Sequence, residues 1–421
     1  GLTSTLFLQN TGPAQADVTL VFFGPGSATI TRTIRSQATL ALPAEAVPGL
    51  SAGSYALRVT STQPVESVVY TGRGSPDRLA AYRGIDAGRI QLYSPYADGW
   101  YLTVLNVGAG PATTVAQFYS TSGALAFPAN QSIPVGQRYT WGPLPAGLPP
   151  GFVGQVIVSS DQPLVGVLAR PGQPGRPDIF EYYDLPGPAS PQVYLPRVVK
   201  NMDEGGGPRS SSIFVGNAGF GPASVSVNYL SPEGSVVYTS TINLTVQGSR
   251  YINLEAESGL PSGVWAVVIN GNQQLIAGEI TDYKLASSYS TGDYTGQPGA
   301  AIFLPRVVRT PQVYSVLSLW SPNPTPADLN IQYVAPNGLR VLSETIHLIP
   351  QAWLRLDLRD KPQLGSDFMG SLRIQSTQPI VAQVDEYQTD GQWVVDYADN
   401  TLDMCVSTEP SDLYVYSSYS I

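Results

Sequence analysis

The side chains of this sequence that could do chemistry are few. There is one histidine, His347, inside the alternating run 341–349. A nucleophilic triad needs its imidazole at a cleft, between a hydroxyl or thiol and an orienting carboxylate. This run reads instead as one strand of a hairpin, so an ordinary strand position is expected for His347. A zinc centre needs about four imidazole or thiolate ligands, and one histidine with one cysteine, Cys405, cannot supply them. Paired carboxylates could hydrolyse a glycoside or hold calcium. Asp178, Glu181 and Asp184 lie together, as do Asp385 and Glu386. Neither cluster recurs at equivalent positions, and both are read as solvated strand faces. Met202-Asp203-Glu204 precedes the glycines at 205–207 and could clamp calcium; a loop is the simpler reading.

Three other patterns carry no chemistry on inspection. Gly108-Ala109-Gly110 and Gly219-Phe220-Gly221 precede strands rather than helices, so they cannot cradle a phosphate at a helix start. Trp100, Trp141, Trp265, Trp320, Trp353 and Trp393 fall at unrelated positions, which suits core and interface roles better than a sugar-stacking platform. A lysine–asparagine isopeptide bond would need a buried lysine, and Lys200, Lys284 and Lys361 all flank expected loops. The expectation is a protein that is not an enzyme and holds no metal or cofactor.

The elements around these residues repeat. Gln91-Leu92-Tyr93-Ser94-Pro95, Gln192-Val193-Tyr194-Leu195-Pro196 and Ala301-Ile302-Phe303-Leu304-Pro305 open three copies of one unit, and Asp412-Leu413-Tyr414-Val415-Tyr416 continues the series. From Tyr93 through Tyr194 and Phe303 to Tyr414 the steps are 101, 109 and 111 residues. Three more landmarks recur in the same order. An alanine precedes an aromatic by six residues at Ala16/Phe22, Ala112/Phe118, Ala223/Tyr229 and Ala327/Tyr333, after turns such as Asn106-Val107-Gly108. A leucine stands beside glycine at Leu50, Leu148, Leu260 and Leu364. A polar tripeptide, read as a turn joining two apolar strands, appears at Thr62-Gln63-Pro64, Asp161-Gln162-Pro163, Asn272-Gln273-Gln274 and Thr377-Gln378-Pro379.

Within each unit the apolar residues alternate with period two, as in Val225-Ser226-Val227-Asn228-Tyr229. Turns such as Ser231-Pro232-Glu233-Gly234 follow, with proline presetting φ and glycine accepting the left-handed position. The two last strands, 265–269 and 275–280 in the third copy, are almost wholly apolar and are expected at the centre of a sandwich. The fold class is therefore all-β: four tandem Ig-like antiparallel β-sandwich domains, the first lacking its initial strand. The expected boundaries are 1–86, 87–190, 191–300 and 301–402, with a donor-strand tail at 403–421.

The Asn-x-Gly turn followed by Pro-Ala and an alternating strand, at Asn106–Ala112 and Asn217–Ala223, resembles the Ig-like adhesion modules repeated in bacterial surface proteins. The stretch 193–201 (VYLPRVVKN) is similar to segments in secreted proteins of filamentous thermophilic bacteria. The resemblance implies an extracellular β-sandwich array and brings no catalytic residue with it.

Composition narrows the partners. The chain of 421 residues is 43% hydrophobic, enough for packed cores despite 42 glycines and 37 prolines. Charged residues are only 13%, and the net charge of −9 leaves no basic stripe for nucleic acid. No apolar run is long enough to cross a membrane as a helix. Neither an initiator methionine nor a leader is present, so a processed extracellular product is expected. Two sequons, Asn130-Gln131-Ser132 and Asn243-Leu244-Thr245, leave room for glycosylation.

A chain short of one strand at its head and with a spare at its tail is suited to join copies of itself by strand addition. In the tail, alternation puts Leu413, Val415, Tyr419 and Ile421 on one face, at positions matching Val193, Leu195 and Val199; Tyr414 and Tyr416 complete the expected assembly interface. The expected function is a filament or surface-layer subunit polymerising head to tail with itself. The alternative is a monomeric adhesin or carbohydrate-binding surface protein meeting glycans or a cell surface. A tail folded back on its own first unit is the rival geometry.

Overall fold

The computed structural model describes residues 2–73, 79–85, 87–97, 101–142, 147–149, 151–170, 181–185, 189–203, 208–283, 289–291, 298–389, 394–399 and 412–417. Among these the chain is all-β. Its only helical pieces are four three-residue 3-10 turns, and the sheets pair antiparallel throughout.

The third repeat shows the plan. Gly263–Tyr283 is one strand of 21 residues that belongs to both layers. Its first half pairs with the opening strand Ser190–Lys200 on one side and with Ala223–Leu230 on the other, and Val236–Leu244 lies outside the latter. Its second half pairs with Pro208–Asn217, which carries Ser249–Asn253 on its far edge, and with Tyr289–Thr291. Gly154–Arg170 and Phe368–Gln388 do the same in repeats 2 and 4.

The polar tripeptide is therefore not a turn between two strands in repeats 2 to 4, as the sequence suggested. It is the place where one continuous strand leaves one layer for the other, a corner rather than a reversal. Its first residue fixes the corner. Thr62 Oγ1, Asp161 Oδ1, Asn272 Oδ1 and Thr377 Oγ1 each accept from the backbone N–H of the strand beginning opposite, at Asp17, Thr113, Ser224 and Asp328, over 2.7–2.9 Å. Only in repeat 1 does the strand break there, into Tyr55–Ser61 and Val65–Arg73.

The Asn-x-Gly turn is held from inside. Asn217 is fully buried; its Nδ2 donates to the carbonyls of Gly221 and Thr245 at 2.8 Å, and its Oδ1 accepts from Gly219 N at 2.9 Å. Asn10 and Asn106 repeat this set. A Cβ on Gly12, Gly108 or Gly219 would stand 2.5 Å from Oε1 of Gln63, Gln162 or Gln273, so the glycine and the tripeptide's glutamine require each other.

The landmark pairs Ala16/Phe22, Ala112/Phe118, Ala223/Tyr229 and Ala327/Tyr333 are all buried between the layers. Each large apolar group so enclosed is worth about 1.5–3 kcal/mol. Trp141, Trp320 and Trp353 are also core residues; Trp100 and Trp393 lie outside the described residues. The chain divides into two compact units, Gly1–Ala87 with Gln297–Ile421, and Gly88–Gly296. Each holds two repeats: 4 with 1, and 2 with 3.

Candidate strand-acceptor site and repeat seam

Tyr55–Ser61 in repeat 1 is paired on one side by Ala16–Phe23 and on the other by Asp412–Ser417, the strand of the tail. Leu413 stands opposite Val59 and Val415 opposite Leu57. The opening strands of the other repeats use the same register. Leu92 and Ser94 face Val158 and Val156, Val193 and Leu195 face Ile269 and Val267, and Ile302 and Leu304 face Ile374 and Leu372. The tail thus fills in repeat 1 the place that an opening strand fills elsewhere. It does so within its own chain, the geometry that the sequence set as the rival to donation. Leu413, Tyr414, Val415 and Tyr416 fall in this pairing; Tyr419 and Ile421 lie outside the described residues.

One difference separates the tail from the internal strands. Pro95-Tyr96, Pro196-Arg197 and Pro305-Arg306 each oppose a single residue of the long strand, which makes a bulge. Proline lacks the N–H a ladder would use, and the extra residue re-aims the side chain that follows. In the tail the register runs on without interruption, Tyr416 to Ala56 and Ser417 to Tyr55.

The re-aimed residue meets the next repeat. In the unit of repeats 2 and 3, the Tyr96 ring packs on Phe214 with centroids 4.0 Å apart. In the unit of repeats 4 and 1, the Arg306 guanidinium lies 5.0 Å from the Phe7 ring and 4.6 Å from that of Tyr70. Phe214 and Phe7 occupy the same position in their repeats, three residues before the buried turn asparagine. Other contacts match across the two seams. Ser249 N donates to Thr121 O, and Thr39 N to Pro336 O, each at 3.1 Å. A Cβ on Gly123 would strike Val246 O, and one on Gly338 would strike Ser36 O. Gln155 donates to the carbonyls of Asn217 and Gln247, while Gln9 donates to Ser371, the counterpart of Gln155. Repeat 4 therefore docks on repeat 1 as repeat 2 docks on repeat 3.

The 4-to-1 seam contains an acidic residue that was misread from sequence. Asp385 and Glu386 are fully buried, not a solvated strand face. Glu386 Oε1 accepts from the Tyr70 hydroxyl at 2.8 Å, and Oε2 lies 3.2 Å from Arg306 Nη2. Burial pushes the Glu386 carboxyl above its ordinary range, and the Arg306 charge and the Tyr70 hydrogen bond only partly oppose this. Asp385 accepts from Gln383 Nε2 at 3.1 Å.

Lys200 is a second correction. It is buried rather than merely beside a loop, and its Nζ donates to the carbonyls of Glu257 and Leu260. Arg309 caps the matching loop in repeat 4 through Gly365 O. These cations tie each opening strand to the 3-10 corner below it. No sequence rule flags them, apart from a basic residue ending an otherwise apolar strand.

The remaining candidates separate. His347 sits on the exposed outer hairpin opposite Asp328, with Nδ1 2.7 Å from Oδ1 and both side chains about 60% exposed (60%/59%). Among the described residues no group of three or more His, Cys, Asp or Glu is placed to hold a metal ion. Asp203 pairs with Pro208 in a two-residue strand. Asp178, Glu204 and Cys405 lie outside the described residues, as do the side chains of Glu181 and Asp184. Among the described residues no helix is long and apolar enough to cross a membrane.

No protein-family model and no curated protein matches the chain. Among solved structures it is similar to a tetra-tandem repeat from the extending region of a large adhesion protein, at 11% identity over 93% of this chain and 92% of that one, with a TM-score of 0.12. It is also similar to a beta-glucuronidase of glycoside hydrolase family 2, at 10% identity over 70% and 30% of the two chains, with a TM-score of 0.14.

Proposed function

We propose that this chain is a structural subunit of an extracellular filament or surface layer, joined head to tail through its C-terminal strand and its 4-to-1 seam. The observation that carries the reading is the register of Asp412 to Val415 on Tyr55–Ser61, which is that of the internal opening strands up to their bulge. A strand placed that way by an adjacent chain segment is equally placed by a neighbour's segment. Intramolecular and intermolecular closure are then two arms of one domain swap, which exchanges an identical element at little cost. Concentration decides between them, because only the intermolecular arm gains from it. Head-to-tail joining is heterologous and leaves a free acceptor at one end and a free donor at the other, so it propagates. The partner in this reading is the chain itself, and no catalytic chemistry is involved. The likeness of the Asn-x-Gly and Pro-Ala segments to bacterial adhesion repeats supports the extracellular setting.

The intramolecular pairing favours a second reading, a self-closed monomeric adhesin or carbohydrate-binding surface protein. Electron microscopy and sizing across a concentration series separate the two. The full chain should form filaments, the chain lacking 411–421 should not, and a synthetic peptide of that segment should cap growing ends. Filaments of the same form from the truncated chain, or a full chain monomeric at every concentration, would overturn the polymer reading.

A further inference from the structure

The two matched seams differ in chemistry. Where repeat 2 meets repeat 3, Tyr96, Phe214 and Ile280 join one apolar cluster. Where repeat 4 meets repeat 1, the corresponding residues are Arg306, Phe7 and Tyr70, and Glu386 is buried against them. The register partners fix these equivalences. Glu386 pairs with Ser315 as Thr281 pairs with Ser211 and Thr71 with Ser4. At those places Ser211 and Thr281 share a hydroxyl bond of 2.7 Å and Ser4 and Thr71 one of 2.8 Å. At the Tyr70 position the four repeats carry Tyr70, Ala169, Ile280 and Asp385, so only repeat 1 offers a phenolic hydroxyl.

We propose that Arg306, Glu386 and Tyr70 form a polar lock that selects repeat 1 as the docking partner of repeat 4. The inference rests on the reading of the 4-to-1 seam as the joint between chain ends. A partner face shaped like repeat 3 would accept the Arg306 stem on its phenylalanine but would set Ile280 against Glu386. The carboxyl would then lose its hydroxyl donor inside a dry interface, where an unmet polar group is costly. In the reverse mismatch, Tyr96 on repeat 1 would cover Tyr70 and leave its hydroxyl without an acceptor. Each wrong pairing strips the Tyr70 hydroxyl or the Glu386 carboxyl of the bond that the right pairing gives it, which is how an interface gains selectivity beyond shape. The lock names no order of events; it fixes which faces belong together.

Disulfide trapping tests this in the full chain. Thr39→Cys and Pro336→Cys flank a backbone hydrogen bond across the seam, and Cys405→Ser removes the native thiol. The yield of the bond in a redox buffer reads seam closure, and gel mobility separates a closed monomer from a ladder of linked chains. Tyr70→Phe, which deletes one oxygen, should lower the yield constant by about tenfold, as should Tyr70→Ile. Adding Arg306→Tyr and Glu386→Thr to Tyr70→Ile gives the seam the tyrosine and isoleucine that repeats 2 and 3 carry, with the threonine of repeats 1 and 3 at the Glu386 position, and should restore closure to within about threefold. Unchanged trapping in Tyr70→Phe and Tyr70→Ile would overturn the lock, whatever the products' size. A product that is only ever monomeric would sink the polymer reading, while the effect of Tyr70→Phe on its yield still decides the lock.

Discussion

Val415 stands opposite Leu57 as Leu195 stands opposite Val267 and Leu304 opposite Leu372. Leu195 and Leu304 are separated from their partners by a long stretch of one repeat. Val415 is separated from Leu57 by nearly the whole chain. A register so conserved over such different separations belongs to the acceptor edge, not to the connection, because strand register follows the alternation of the faces that pair.

Replacing Tyr416 by proline should move the tail toward the bulged form of the internal strands and shift Ser417 off Tyr55. The backbone amides of Tyr55–Ser61 should then exchange with solvent several-fold faster, the equivalent of about one lost ladder bond. An exchange profile identical to the parent's would mean that the continuous register contributes nothing.

Gly338 has φ of +88°, and a Cβ there would stand 2.5 Å from Ser36 O. Gly338→Ala should therefore strain the hairpin by about 1–2 kcal/mol and also push the seam open. The amide of Thr39, which donates to Pro336 O, should lose protection from exchange. Gly234→Ala strains its own hairpin at φ +81° and serves as the control, with the Thr39 amide unchanged.

Glu386 gives the 4-to-1 seam a pH dependence whose sign follows from burial. The folded carboxyl holds its proton more tightly than the unfolded one. Its contribution to stability is complete below the ordinary glutamate range, about 4.3, and is lost as pH rises through the elevated folded value. Asp385 on the same strand and Glu66 are buried carboxyls too, so the difference between parent and Glu386→Gln isolates the group. The unfolding midpoint of the parent should fall relative to that of the variant as pH rises. A constant difference across the range would show that Glu386 does not titrate in the seam.

Asn217→Ala should cost about 2–4 kcal/mol in urea unfolding, since it removes two donated bonds and one accepted bond at a fully buried site. Asn323→Ala in repeat 4 should cost less. That side chain is more exposed and bonds Ser321 Oγ and Pro379 O in a proline-rich turn that is already rigid. Equal losses at the two sites would argue against the buried turn as the source of the effect.

The strands and their order were legible because period-two alternation and the spaced landmarks report local geometry. So was the equivalence of the tail with the opening strands, since Leu413 and Val415 repeat the pattern of Val193 and Leu195. The corner at Asp161-Gln162-Pro163 was misread as a turn, because polar residues at a layer change and at a reversal look alike in sequence. The burial of Glu386 was not legible either. Its hydroxyl donor is 316 residues away, and alternation cannot say which exposed-looking face another repeat will cover. One signal was present: a carboxylate where repeats 1 and 3 carry threonine, in a repeat whose opening strand places Arg306 after Pro305.

The 21-residue strand Gly263–Tyr283 has a mechanical consequence. Because one backbone runs through both layers, the sandwich cannot be peeled open along its midplane without bending covalent chain, and a pulling force passes from layer to layer through bonds rather than side-chain contacts. In repeat 1 the same backbone leaves the ladder between Ser61 and Val65 and is not one unbroken strand. The corner there is held by the irregular segment Thr62-Gln63-Pro64 and its hydrogen bonds to Thr11, Ala14 and Asp17, and it is there that a stretched chain should yield first.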